Sequence, residues 1–473
     1  MPSTASAETL KQALSRAYRT NPTLTAARAG QRATDERVPL AKAAGRPNAS
    51  VIGTYTEELQ RANPLTTPRR NINGQASLTV PIYQGGVVRN QIKSAKETVK
   101  AGQQDLRATE ASVYSAVVAA YLDVISDSFI VQYNRQNVTS LDINLQASQD
   151  RFEGGDLTLT DVAQSRSRLA LAQASLQAAE AQLISSKENY IALVGVEPDN
   201  LENPPALPGL PASTEAAVAL ALEQNPDILA ARHDREAARY NVRAARGQVS
   251  PRLSAFTNGT YADYLNSEKN LSPALGIDGS VKAASAGVQL TIPLYQGGQP
   301  GALSRQNVAL EAQAIEQQVA VERSVIAQTR AAYATWQASL QNIASTKQAV
   351  SAGELSLEGV QAENSVGTRT ILDLLDTQRD LLNAQVQHVT AQRDAYVAGF
   401  TLLAAMGRAE APYLNLEDTG PLYDAVAHYD EVKNKFFDFD FGSPPQQQAP
   451  GTRDTTPQTA TVQTVPTAGP TQR

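Results

Sequence analysis

Cysteine is absent from the chain. No disulfide framework braces it and no thiolate can hold a metal, so the fold must be stabilised by packing. A chain with a large core can persist in an oxidising compartment on those terms, and the absence fits a periplasmic or outer-membrane protein. Histidine is almost as scarce. His233, His388 and His428 stand far apart without metal-ligand spacing, and His388 falls in a row of small and apolar residues where a packed helix position is expected. The stretch Asp438 to Asp440 lacks the spacing of a calcium loop. No Gly-rich phosphate loop and no nucleophile elbow occurs. The chain therefore reads as a non-enzyme that needs neither metal nor cofactor.

Excess charge of one sign is also missing. The 41 basic residues are spread among 47 acidic ones for a net charge of −6, and no basic stripe marks a nucleic-acid surface. No apolar run reaches the ~18 residues of a spanning helix, which excludes that kind of membrane segment. A spanning β-strand stays open, because it needs only about 9–11 residues of alternating character. At the start, Ala5-Ser6-Ala7 before Glu8 reads as the end of a removed signal peptide, although no charged or apolar region precedes it.

Proline is missing from two long stretches, between Pro81 and Pro198 and between Pro300 and Pro412. An interior proline costs a helix about 3 kcal/mol, so these gaps are where long helices can run. Each gap has one break, Glu153-Gly154-Gly155-Asp156 in the first and Val366-Gly367-Thr368-Arg369-Thr370 in the second. Each therefore reads as a helical hairpin with arms of roughly 65 and 35 residues, the longer about 100 Å at 1.5 Å per residue. Heptad rows run along them. Val162, Leu169, Leu176, Leu183 and Tyr190 form one, with Ser165, Ala172, Ala179, Ser186 and Leu193 beside it. The second hairpin repeats the pattern with Leu374, Leu381, His388, Ala395 and Leu402, and adds a further row of Leu375, Leu382, Val389, Tyr396 and Leu403. Two apolar seams on one helix predict neighbours on both sides, as in a wall of helices.

The chain says nearly the same thing twice. Leu78-Thr79-Val80-Pro81-Ile82-Tyr83-Gln84-Gly85-Gly86 returns as Leu290-Thr291-Ile292-Pro293-Leu294-Tyr295-Gln296-Gly297-Gly298, Asn21-Pro22 as Asn225-Pro226, Asp161 as Asp373, and Gly195 as Gly407. The unit is far longer than the 20–50 residues of a solenoid repeat, so half the architecture is duplicated. The expected units are residues 8–212, residues 213–435 of the same layout, and a disordered Pro/Gln/Thr-rich tail over 436–473. Each unit should contain a helical stretch broken at Asn-Pro, two strands, the long hairpin and, after the first, a Pro/Leu-rich linker. The strands are expected at 49–58, 73–82, 252–264 and 284–294. They are joined by polar loops at 61–71 and 266–279. Ala76, Leu78, Val80 and Ile82 alternate with Gln75, Ser77 and Thr79, the period of a strand with one polar face. Four strands close no barrel of useful diameter, and lipid tolerates no open edge, so partner chains or a soluble sandwich are required. A ring of three protomers would supply twelve strands.

This order resembles the TolC-type outer-membrane channel family. The residues that carry the likeness are Pro293-Leu294-Tyr295-Gln296-Gly297-Gly298 at the strand-to-helix junction and Val366-Gly367-Thr368-Arg369-Thr370-Ile371-Leu372-Asp373-Leu374-Leu375-Asp376 at the second tip. The resemblance implies a mainly α protein with β: a homotrimer whose twelve-stranded β-barrel lies in outer-membrane lipid and continues into a periplasmic α-helical barrel. It implies an exit duct for a tripartite efflux pump or a type I secretion system. The partners would be a periplasmic adaptor (membrane fusion) protein and an inner-membrane transporter, ABC-type or proton-driven. A non-membrane coiled-coil spacer or an adaptor protein is the competing reading.

The residues expected to carry function lie at the tips. Arg369 stands one turn from Asp373 and Asp376, and could pair with Asp161 across neighbouring coils to hold the end closed. The resemblance assigns Thr160, Asp161 and Arg369 to a closing network and Asp373 and Asp376 to acidic constriction rings that favour cations. It places adaptor docking at Gly154, Gly155, Gly367 and Thr368. One departure is Asn364, where the family prototype has a tyrosine, which predicts a weaker latch.

Overall fold

The computed structural model describes residues 8–60, 67–267 and 279–462. The Ala5–Ala7 segment, most of the two polar strand loops and the last eleven residues lie outside them.

Three short helices open the chain: α1 (Leu10–Thr20), α2 (Pro22–Asp35) and α3 (Arg37–Ala43). Strands β1 (Asn48–Glu57) and β2 (Arg70–Gln84) follow, then the hairpin of α4 (Val87–Glu153) and α5 (Leu159–Val194). The second half repeats this with α6 (Thr214–Gln224), α7 (Pro226–Arg246), β3 (Arg252–Asp263), β4 (Ser280–Thr291), α8 (Gln299–Ser365) and α9 (Ile371–Ala405). A short α10 (Ala427–Val432) closes the ordered helices. The long arms are 67 residues each, and the short ones 36 and 35. At 1.5 Å per residue the long arms are rods of about 100 Å.

Both Asn-Pro steps are helix starts. Asn21 Oδ1 accepts from the N–H groups of Thr23 and Leu24, and Asn225 Oδ1 from those of Asp227 and Ile228. Each proline sits in the first turn, where it has no N–H to lose. Each Asn also donates through Nδ2 to the end of a hairpin, Asn21 to Leu193 O and Asn225 to Ala405 O, both at 2.9 Å. One side chain thus caps one helix and satisfies an orphan carbonyl of another, and the repeat keeps both bonds.

The four strands form one antiparallel sheet in the order β1-β2-β3-β4. Observed strands differ from the expected ones mainly at the ends. β2 is longer at both ends, and β4 stops at Thr291, short of Ile292 and Leu294.

The largest apolar core lies where the short helices meet the hairpins. Tyr114 and Tyr121 of α4, Tyr190 of α5, and Phe400, Leu402 and Met406 around the end of α9 are fully buried there. The Tyr121 hydroxyl lies 2.7 Å from Glu8 O and 2.6 Å from Glu202 O, which ties the start of the chain to the linker. Glu110, partly buried beside Tyr114, accepts from the Ala411 N–H at 2.6 Å; desolvation, more than neighbouring Glu410, pushes its carboxyl up to about 7. One window of α4 is apolar enough, with a mean hydropathy of 1.4, to cross a membrane by length and composition. That window was not expected from a search for unbroken apolar runs. It is 56% buried inside the molecule, so it serves as core rather than as a lipid-facing span.

A second cluster joins the two hairpins nearer their tips: Leu141, Leu169, Ala172, Ile371, Leu374 and Leu375. These include members of the predicted heptad rows. His388 is a packed helix residue whose Nδ1 lies 3.1 Å from Thr346 Oγ1. Beyond α10 the described tail has no helix or strand. It lies against the first hairpin through polar contacts, with Lys187 Nζ on Thr459 O and Thr461 O and Arg135 Nη2 on Ala460 O. Beyond Phe441 the tail is rich in Pro, Gln and Thr, and these are mostly polar contacts.

The two long arms are packed very differently. α4 has 19 buried residues, whereas α8 has four: Pro300, Val325, Thr329 and Thr346. α8 instead exposes Val308, Leu310, Ile315, Val319, Leu340 and Leu355.

Candidate functional site: the hairpin tips and the sheet

Both tips are built by the same local chemistry. Gly155 and Gly367 adopt left-handed φ values of 84° and 79°, which reverse the chain at the end of the long arm. In the first tip, Asp156 N–H donates to Arg151 O and Gly155 N–H to Phe152 O. In the second, Thr368 N–H donates to Glu363 O and Gly367 N–H to Asn364 O. These are the paired bonds of a Schellman turn. Gly154, by contrast, keeps an ordinary helical φ of −72°.

The short arms then start in matching capping boxes. Thr158 Oγ1 accepts from the Asp161 N–H, and Asp161 Oδ2 accepts from the Thr158 N–H and hydroxyl at 3.0 and 2.7 Å. Thr370 and Asp373 repeat this, at 3.1 and 2.7 Å for the two bonds to Asp373 Oδ2. Thr158 and Thr370 hold the Asp161 and Asp373 carboxyls below the usual carboxylate range. With folded values lowered, the caps contribute stability at neutral pH that is lost as acid protonates them. Replacing Thr370 with alanine should cost the second tip about 1 kcal/mol, read as faster amide exchange confined to the first turn of α9. Exchange unchanged there would show that the box contributes nothing.

The expected site residues are placed as follows. Thr160 is exposed in the first turn of α5. Arg369 Nε pairs with Glu363 Oε2 at 2.7 Å, within its own tip. Asn364 Nδ2 donates to Arg369 O at 2.9 Å, across the turn of its own tip. Thr368 Oγ1 donates back to Glu363 O. Asp376 is drawn to the other hairpin: its Oδ1 accepts from Arg168 Nη2 at 2.7 Å, with Arg379 Nη1 at 3.5 Å. Sequence reasoning missed Arg168 and Glu363. Arg168 carried no local signal, since its partner lies 208 positions away. The Thr-x-x-Asp boxes were legible as a capping pattern and were passed over.

At the other end, the sheet has two unlike faces. In the observed register Val51, Tyr55, Ile72, Ala76, Leu78, Tyr261, Val288 and Leu290 share one face. Ser50, Thr54, Asn73, Gln75, Ser77, Asn258, Thr260 and Gln289 share the other, with Ile52, Phe256 and Val281 as apolar exceptions. Ser50 and Ser77 hydroxyls meet on the polar face at 2.9 Å. A bulge at Ile82 breaks the alternation and sets Tyr83 opposite Leu253, on the apolar face. At the far ends of β1 and β3, Tyr55 and Tyr261 hydroxyls each donate to an acid two residues on, Glu57 and Asp263, at 3.1 Å. An apolar face rimmed with tyrosine and a polar reverse face is the pattern of a strand set between lipid and a watery lumen. Among the described residues no cluster of potential ligands could hold a metal ion.

Comparison with known proteins agrees with this geometry. Residues 13–196 and 217–408 match a family described as outer membrane efflux protein, one match for each half. The outer membrane efflux protein BepC of Brucella suis biovar 1 is 34% identical over 431 residues, 91% of each chain. The outer membrane protein TolC of Vibrio cholerae serotype O1 is 26% identical over 405 residues, 85% of this chain and 91% of that one. Among solved structures, the Campylobacter jejuni CmeC outer membrane channel superposes with a TM-score of 0.74 at 15% identity, covering 90% of this chain and 89% of that one.

Proposed function

The chain belongs to the outer membrane efflux protein family and sits in the outer membrane, reaching into the periplasm, and from that premise we propose that three copies close into a single export duct. The observation that carries this is which contacts between the halves are present and which are missing. β2 pairs with β3, and α4 packs on α7 and α9, so the first half's inner elements lie on the second half's. The equivalent set in the other order would be β4 on β1 and α8 on α2, α3 and α5. No strand pairs with the outer edge of β1 or β4 among the described residues, and α8, packed on α6, α7 and α9 of its own half, has only four buried residues. A following copy supplies that set, and three copies give twelve strands and a wall of twelve hairpin arms. The apolar face then turns to lipid and the polar face to the lumen.

In this reading the duct receives cargo from an inner-membrane transporter, ABC-type or proton-driven, through a periplasmic adaptor protein. The cargo is a drug or a secreted protein. The tips form the gate. Arg168 and Asp376 lock the two hairpins of one protomer. The capping boxes use Oδ2 of Asp161 and Asp373, leaving Oδ1 of each for a partner across the ring, such as Arg369 of a neighbour. Asp373 and Asp376 set a cation-favouring constriction. Gly154, Gly155, Gly367 and Thr368 form the rounded ends that an adaptor would cup.

The β2–β3 register carried to the missing seam puts Leu290 of one protomer beside Gly53 of the next. Because the chain has no cysteine, Gly53→Cys with Leu290→Cys gives a clean crosslinking pair. Oxidised outer membranes should yield a ladder that stops at the trimer. A ladder of any other length, or monomer alone, would overturn the assembly.

A further inference from the structure

The stretch after α10, Phe436-Phe437-Asp438-Phe439-Asp440-Phe441, carries four rings that the core does not use. They are 56%, 84%, 87% and 86% exposed in chain order. The rings meet mostly one another, Phe436 with Phe437 at 5.9 Å between centroids and Phe439 with Phe441 at 6.5 Å. So much exposed aromatic surface in six residues marks an interaction site.

Its position is fixed by neighbouring bonds. Lys42 Nζ lies 2.5 Å from Lys433 O and 2.9 Å from Asn434 Oδ1. Arg46 Nη1 donates to Lys435 O at 2.6 Å, and its guanidinium lies 5.1 Å from the Phe436 ring centroid. Arg46 stands two residues before Asn48, where β1 begins. Lys435 Nζ returns to Asp440 Oδ2 at 2.9 Å, which folds the segment into a turn and neutralises one of its acids. α10 packs on α2, and α2 on α4, so the turn is held against the helices of the first half. It therefore sits at the foot of the sheet, where the apolar face ends. Tyr83, Leu294 and Tyr295 are exposed at the same end, by 53%, 93% and 87%.

We propose that residues 436–441 are an interfacial anchor, an aromatic turn that inserts into the periplasmic leaflet of the outer membrane beside the foot of β1. Two observations select lipid as the occupant. The turn is held through Arg46 beside the foot of β1, and aromatic rings are favoured at the level where acyl chain meets headgroup. Its base carries the cations Lys42 and Arg46, which bond amide carbonyls rather than carboxylates and can meet lipid phosphates, whereas Lys433 is paired with Asp430 at 2.6 Å. The inference rests on the sheet spanning the membrane as proposed above.

Intrinsic tryptophan fluorescence of the full chain tests it. The single tryptophan is Trp336; a Trp336→Phe background leaves none. Single reporters are then placed by Phe439→Trp, by Val288→Trp on the apolar sheet face, and by Leu355→Trp on α8, which sets the unquenched level. Each is reconstituted into vesicles of phosphatidylethanolamine and phosphatidylglycerol brominated high on the acyl chains. The Phe439→Trp emission should be blue-shifted and lose intensity, as should Val288→Trp. Quenching at Val288→Trp alone would overturn the anchor while leaving the spanning sheet intact. Red-shifted emission at Phe439→Trp would then mean a water-exposed turn, and blue-shifted emission a turn covered by protein. Quenching at neither position would overturn the anchor and the membrane-spanning sheet together.

Discussion

Gly407→Ala should leave the outer membrane almost empty of assembled protein. Gly407 has a φ of 73° at the end of α9, in a turn where Arg408 N–H donates to Leu403 O and its own N–H to Ala404 O. The left-handed conformation alone costs a non-glycine residue on the order of 1–3 kcal/mol. Here a methyl group would also stand 2.4 Å from Gln224 O and 2.7 Å from Gln224 C, both backbone atoms at the α6–α7 link. That link cannot retreat, because Asn225 is bonded to Ala405 O across the same contact. The conformational cost and the clash therefore add, a large share of a typical folding free energy. Gly155→Ala is the matched control: its φ is 84°, yet nothing lies within 4 Å of the added carbon. It should lower the melting temperature slightly and leave trimer yield unchanged on semi-native gels. Wild-type trimer from Gly407→Ala would show that the α6–α7 link yields.

Arg168→Ala and Asp376→Ala should both raise single-channel conductance in planar bilayers, and should move ion selectivity in opposite directions. The pair is 2.7 Å apart with side chains 26% and 39% exposed. Pairs so accessible to water contribute at most about 1 kcal/mol to folding, so neither change should unfold the protein. Three such bonds around a ring would nonetheless bias a gate whose two states are close in energy. Removing Arg168 frees a carboxylate toward the pore and should strengthen cation preference. Removing Asp376 deletes the carboxylate and should weaken it. Reversal potentials in a salt gradient separate the two. Unchanged conductance in both variants would remove the inter-hairpin lock from the gate, and shifts of the same sign would remove Asp376 from the pore.

Much of the fold was legible because its causes are local. Two proline-free stretches marked the rods, the Gly-containing breaks marked the turns, and Asn21 and Asn225 marked helix ends through their own side-chain bonds. Alternation marked β2 and β4, but the bulge at Ile82 is a property of pairing with β3 and has no residue pattern of its own. The contrast between α4 and α8 was illegible for a different reason. Their sequences carry similar patterns, and what distinguishes them is that α4 packs against elements of both halves whereas α8 packs mainly on those of its own. At the tips the bonds made within one protomer were not read from the sequence. Asp161 and Asp373 are engaged by threonines three positions earlier, and Arg369 by Glu363 of its own tip. A bond such as Arg168 to Asp376 depends on how two hairpins pack, which heptad spacing does not specify.

In the proposed trimer, the unequal covering of the two rods would also govern how the duct is made. One class of contact joins halves tethered by peptide linkage, so it forms at a rate independent of how much protein is present. The other class joins separate molecules and obeys mass action. A newly delivered protomer is thus finished along one flank and raw along the other, with an unpaired strand edge and a greasy rod facing water. Its survival before meeting two siblings is a race against aggregation, and dilution should lose that race even when the sequence is perfect.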